Sequence, residues 1–117
     1  MSSVTKPVLL DETGQAIVAA LNNFQKSVTE ETVLGSTPSI TGVDNHRYIC
    51  GTVTSISITP PQTGIIDVVF TAGSGCELTL PNTVQMPEGF DPTSLTQGTV
   101  YEINIADGIY GVVASWQ

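Results

Sequence analysis

The stretch Thr99-Val100-Tyr101-Glu102-Ile103-Asn104-Ile105-Ala106-Asp107-Gly108-Ile109-Tyr110-Gly111-Val112-Val113-Ala114-Ser115-Trp116 decides the fold class. On both sides of Asp107-Gly108 apolar and polar residues alternate, the period of a strand with one buried face. Asp-Gly between two such runs is the signal of a two-residue type I′ hairpin, because both loop positions need positive φ. Folding about that turn pairs Ile105 with Tyr110, Ile103 with Val112 and Tyr101 with Ala114. All six then share one core face, and Trp116 continues it. The opposite face takes Val100, Glu102, Asn104, Gly111, Val113 and Ser115.

Period two extends upstream to Arg47. Tyr48–Thr59 reads as a long strand closed by Pro60-Pro61, and Ile65–Thr71 as a central strand. Ala72-Gly73-Ser74-Gly75 reads as a turn into a strand over Cys76–Leu80. Val84–Met86 reads as a short edge piece. Pro87–Pro92 is a loop that Phe90 anchors by tucking inward. Composition agrees: Val, Ile and Thr make 39 of 117 residues, against 7 Leu and 6 Ala, and β-branched excess favours strands. The expectation is a mainly β chain whose residues 47–117 form a small antiparallel β-sandwich or barrel. A domain of that size is small for its own core, which favours oligomerisation.

The only helical rhythm lies in residues 8–28, where Leu10, Gly14, Ile17, Leu21, Phe24 and Val28 follow spacings of four and three. That is the a/d pattern of a coiled coil, flawed at Gly14. One reading is an amphipathic helix packed on its own domain. The other is a self-associating or docking arm, favoured because a polar connector follows and strong helix formers are few. Residues 1–28 are therefore expected as an attachment and oligomerisation arm, with Leu10, Ile17, Leu21, Phe24 and Val28 as its contact residues. Residues 29–46 have no clear period and read as a linker, with one short strand at Val33-Leu34.

Charge narrows the partners. The net charge is −8, and the three cations, Lys6, Lys26 and Arg47, all precede residue 48. Nucleic-acid binding and anionic-membrane binding both run on clustered Lys and Arg, so neither is expected. No apolar run is long enough to cross a membrane as a helix. Met1–Lys6 lacks the basic-then-apolar pattern of a secretory signal.

Catalytic equipment is sparse. His46 is the single histidine and reads as a linker or strand-edge residue. There is no nucleophile elbow, phosphate-binding glycine loop or dinucleotide fingerprint. Asp11-Glu12 and Glu30-Glu31 are adjacent pairs that read as solvated. Asp91 and Asp107 lack the spacing of a calcium loop. No catalytic residue, metal site or cofactor is expected. Cys50 and Cys76 read as two buried thiols, with one disulfide as the alternative. Tyr101 and Tyr110 fall on the expected core face. Trp116 could instead sit at a subunit contact or on a ligand.

Three passages resemble virion proteins of tailed bacteriophages and prophages. Pro7-Val8-Leu9-Leu10-Asp11-Glu12-Thr13-Gly14-Gln15-Ala16-Ile17 is similar to their N-terminal segment. Glu77-Leu78-Thr79-Leu80-Pro81 with Met86-Pro87-Glu88-Gly89-Phe90-Asp91 resembles a TLTLP…WPxGF motif of head-fibre and tail-fibre-like proteins, with Met86 in place of Trp. Tyr101–Gly111 with Ser115-Trp116 resembles their TYEISIxDGxxxxxxW ending. The resemblance implies a non-enzymatic structural subunit of a particle: a head fibre, capsid decoration or tail-fibre-like protein, often trimeric. It would be located in the virion, with capsid or tail subunits as partners. The alternative is a carbohydrate- or cell-surface-binding β module that recognises a host-surface glycan.

Overall fold

A computed structural model describes residues 28–117. Apart from Val28, the arm expected over residues 1–28 lies outside the described residues, and so do its contact residues Leu10, Ile17, Leu21 and Phe24. The described chain is mainly β, with no helix among its residues. It forms one mixed sheet of six strands: β1 Thr29–Val33, β2 Ser39–Thr41, β3 His46–Thr59, β4 Ile65–Thr79, β5 Val100–Ala106 and β6 Tyr110–Trp116. The order is β1-β3-β4-β5-β6, and β2 also pairs with β3.

The expected antiparallel sandwich or barrel is corrected here. β1, β2 and β4 all run parallel to β3, and only β5 and β6 are antiparallel to their neighbours. Parallel neighbours ordinarily need a crossover of about a dozen residues, yet Pro60–Gly64 alone joins β3 to β4. The strands themselves curl to make this possible. Thr29, His46 and Ile66 lie side by side at one corner, and Ser39, Ser57 and Thr79 at another. The chain thus passes the same two corners three times, winding like a short solenoid. Backbone bonds close each turn: Asn45 N–H donates to the Ile65 carbonyl at 2.8 Å, and the Asn45 carbonyl accepts from Thr29 N–H at 2.9 Å.

Two irregularities bend the strands. Between Ile49 and Thr52 the β3–β4 register shifts at Cys50-Gly51, and Val53 and Ser55 of β3 pair with Ala72 and Glu77 of β4. Residues 73–76 therefore form a corner inside β4, not the hairpin turn expected for Ala72–Gly75. Gly73 is required there, because a Cβ would stand 2.9 Å from the Val53 carbonyl oxygen. Residues 29–46, expected as a linker, carry β1 and β2 along one side of β3.

The inward face holds one contiguous core. Ile40 of β2, Tyr48, Val53, Ile56 and Ile58 of β3, Ile66, Val68, Phe70, Cys76 and Leu78 of β4, and Tyr101, Ile103 and Ile105 of β5 are all buried in it. Two buried tyrosines also pin loops through their phenol oxygens. The Tyr48 oxygen accepts from Val43 N–H and the Tyr101 oxygen from Thr96 N–H, each at 2.9 Å. Phe90 packs inward as expected, edge-on to Tyr101 with ring centroids 6.3 Å apart.

The Asp107-Gly108 turn forms, with φ of 55° and 67°. Ile109 N–H donates to the Ala106 carbonyl at 3.1 Å. The register is one residue off the expected pairing: Ile105 faces Gly111, Ile103 faces Val113 and Tyr101 faces Ser115. A one-residue slip exchanges the two faces of a strand. Val113 therefore packs on the main core, while Tyr110 and Val112 pack on the opposite face against Ile65 and Ala106.

Candidate functional site: the outer face of the sheet

Alternation puts every second residue of β1 and β3–β6 on the face away from the core, in rows that cross the sheet. Ile65, Ala106 and Tyr110 form the first of these rows. Glu30, Arg47, Asp67, Asn104 and Val112 form the second, and Thr32, Ile49, Val69, Glu102 and Ala114 the third. Thr71, Val100 and Trp116 form the fourth. Outward positions of an uncovered sheet are normally polar. Here they include Ile49, Val69, Val100, Val112, Ala114 and Trp116, a mostly apolar surface with a charged band through it.

The charged band is a chain of ion pairs. Asp67 is fully buried, and its Oδ2 accepts from Arg47 Nε at 2.7 Å. Arg47 Nη1 reaches Glu30 Oε2 at 3.2 Å. Asp67 Oδ1 is buried and has no hydrogen-bond partner among the described residues. On its far side stands Glu102. Burial first, then a hydrogen bond shared with Glu102, pushes the Asp67 carboxyl up to about 8, against the pull of Arg47. The raised Asp67 carboxyl keeps its proton and can donate it in a hydrogen bond to Glu102, the usual resolution when two acids stand side by side.

The other residues singled out by sequence are dispersed. His46 opens β3, donates from Nδ1 to the Asp44 carbonyl at 3.0 Å and stacks on Tyr48. Asp44 accepts from Ile65 N–H, and Asp107 from Gly64 N–H, each at 2.9 Å, so both carboxylates tie the β3–β4 connection. Asp91 caps its own turn through Thr93, whose hydroxyl and backbone N–H hold the carboxyl below its ordinary range. Cys50 and Cys76 are buried and unbridged. Burial pushes the Cys50 thiol up to about 11. Among the described residues no group of three His, Cys, Asp or Glu is placed to hold a metal ion. An open depression of about 400 Å³ lies between the β3–β4 connection and the hairpin tip, with Asp107 as the only ionisable group lining it.

Of the expected contact residues, the structure places two. Val28 packs against the Ile65–Ala106 pair on the outer face. Trp116 ends β6 on the same face and is 47% exposed. Sequence reasoning placed Tyr110, Val112 and Ala114 in the main core and missed Asp67 and Arg47 altogether. A usable signal was present, since Asp67 interrupts the apolar run Ile65–Phe70 and a charge inside such a run needs a buried partner. Compared with known protein families, curated proteins and solved structures, the chain matches none.

Proposed function

We propose that the chain is a structural subunit of a tailed-phage particle, a head fibre, capsid decoration or tail-fibre-like protein. In this reading the residues before β1 attach it to capsid or tail subunits and the β domain is displayed. The observation that carries the reading is how the resembling stretches meet. Gln85 exchanges backbone bonds with the hairpin at the start of β6, to the Ile109 carbonyl at 2.6 Å and from Gly111 N–H at 2.9 Å. The Met86 thioether lies on Gly111, over the space that a side chain there would take. Phe90 packs on Tyr101, and Leu78 N–H donates to the Pro92 carbonyl at 2.8 Å. Motifs distant in sequence thus lock to one another as a scaffold, the use expected of them in a durable building block. The test is mass spectrometry of particles purified from a lysate of the phage or induced prophage that encodes the chain. Many copies per particle are expected, and absence from clean particles rejects the reading. The homotrimer belongs to the same proposal and is read by sedimentation mass.

The exposure of Trp116 favours one second reading, a surface-binding module that stacks a sugar on the indole. A glycan array with the wild type and Trp116→Ala distinguishes it. Binding that disappears in the variant supports this reading, and a blank array for both rejects it.

A further inference from the structure

We infer that the free edge of β6 pairs antiparallel with the β6 edge of a second copy of this chain, about a two-fold axis at Ser115. The order β1-β3-β4-β5-β6 leaves β1 and β6 as the two edges of the sheet. An open edge is a row of unpaired N–H and C=O groups that templates another strand. One bond identifies that row along β6. Gly111 N–H points away from β5, to the Gln85 carbonyl, so alternation turns the backbone groups of Val113 and Ser115 the same way. Among the described residues Gln85 alone bonds to this edge, and it stops at Gly111.

The two edges are built differently. Folded chains blunt an edge with charge, proline or a bulge. β1 carries Glu30 and Glu31 among its five residues. β6 has no charged residue and no proline, and it follows β5 from Tyr110 to Trp116 without a register shift. Its last residues, Ala114, Ser115 and Trp116, are exposed.

Three observations make the occupant a copy of the same strand. The first is shape. With Ser115 opposite its own counterpart, Val113 faces Gln117 of the second copy and Trp116 faces Ala114. The Trp116–Ala114 pair lies between hydrogen-bonded pairs, where side chains come closest, so each exposed indole covers the small side chain of the other copy. The second is clearance. This register pairs residues 113–117 only with one another and leaves Gly111 to Gln85. The third is charge. Each copy carries a net charge of −8, so a self-contact must keep its carboxylates apart. Glu102 faces Ala114 from β5, and the two Glu102 residues then stand three strand spacings apart, at least about 14 Å. Screening in physiological salt acts over about 8 Å. A β1–β1 contact would instead set Glu30 and Glu31 against the same carboxylates of the second copy.

This inference goes beyond the particle role and is tested apart from it. A two-fold contact is compatible with a three-fold one, since the two together close as six copies. The experiment uses full-length chain throughout. Ser115→Cys is oxidised in air without denaturant, and the wild type, Ser115→Pro and Thr32→Pro are sedimented. Hydrogen-bonded antiparallel partners have Cα atoms about 5.5 Å apart, a usual span for a disulfide. Proline at 115 removes an outward N–H, which an edge strand tolerates. Thr32→Pro does the same at β1, where Thr29 N–H turns inward to the Asn45 carbonyl and Thr32 N–H therefore outward. Ser115→Cys is expected to form a disulfide-linked dimer, and the wild type none, its two cysteines being buried. The wild type and Thr32→Pro should sediment at an even multiple of the chain mass, and Ser115→Pro at half that multiple. The cysteine link reads the contact however well Ser115→Pro folds. An unlinked Ser115→Cys, a wild type that is monomeric or trimeric, or association lost in Thr32→Pro and kept in Ser115→Pro would each overturn the proposal. None of these results bears on whether the chain is found in particles.

Discussion

Gly64 sits where two carboxylates converge. Its φ is +93°, and a Cβ built on it falls onto the Asp44 carboxylate. Gly35 has a similar φ of +100° with open space around it. The pair separates backbone strain from collision. Gly35→Ala meets only the left-handed penalty of about 1 kcal/mol. Gly64→Ala meets that penalty and also displaces Asp44 from the Ile65 N–H, so a loss of about 2–4 kcal/mol is expected. Urea melts of both variants check this, and equal midpoints would mean that the Asp44 contact is unimportant. Asp67 yields a prediction of unusual sign. Its carboxyl titrates near 8 in the folded chain against an ordinary 3.8. Between those values the folded state keeps a proton that the unfolded state has lost. Stability from this group is therefore complete below about pH 4, falls as pH rises and is gone above about pH 8. The groups facing it are Arg47 from β3, Glu30 from β1 through Arg47, and Glu102 and Asn104 from β5. Melting temperature is expected to drop from pH 5 to pH 8 in the wild type. The drop should be much smaller in Asp67→Asn, whose neutral amide donates to Glu102 and accepts from Arg47 at every pH.

At the scale of elements the β5–β6 hairpin shows what alternation encodes and what it leaves open. The turn was legible because Asp-Gly is among the few pairs that tolerate positive φ at both positions. The register was not, because Asp107, Gly108 and Ile109 all lie in the connection and β6 starts pairing at Tyr110. Period two is identical on either side of such a slip, and only burial distinguishes the faces. A paired substitution reads the register directly. Val113→Asp places a charge against the core and should cost about 3 kcal/mol or more, whereas Ala114→Asp, on the outer face, should cost clearly less. The reverse order would restore the pairing of Tyr101 with Ala114. Strand direction was illegible for a related reason. A run of β-branched residues ended by Pro60-Pro61 and reopened at Gly64 looks like a hairpin whether or not the next strand reverses. What makes β3 and β4 parallel is their curl, and it arises at Cys50-Gly51 and at residues 73–76, which look like ordinary turn or strand residues in sequence. The second strand-forming region, residues 29–41, was hidden by its many exposed positions: as an edge of the winding it buries little beyond Pro38 and Ile40. The outer-face cluster became visible only once β1, β3, β4 and β5 were set side by side, since its four charged members span residues 30 to 102.

For the whole molecule the winding means that no strand of the core can leave alone. The core takes Ile40 from β2, five residues from β3, six from β4 and three from β5, with Val33 of β1 and Val113 of β6 packed against it. Each turn of chain is hydrogen-bonded to the one before it, so opening any turn strips the inner face of its neighbours. Cys50 and Cys76 report on this from separate places, one at the β3 bulge and one at the end of the β4 corner. Both thiols are raised by burial, Cys76 in spite of a backbone hydrogen bond that favours its thiolate, and a thiol must reach its ionised form in solvent to react. A fold with independent sub-domains would let them react at different rates. Here a single cooperative unit is expected. In native buffer at pH 8 an aromatic disulfide reagent should label neither cysteine rapidly. With excess reagent both should label together, at one rate equal to that of global unfolding measured by tryptophan fluorescence. Under rising urea the two labelling rates should stay equal up to the midpoint. Faster labelling of Cys50 than of Cys76 would mean that the β3 bulge opens locally. Formation of a Cys50–Cys76 bridge under mild oxidation, without loss of the folded signal, would replace the two buried thiols with a disulfide.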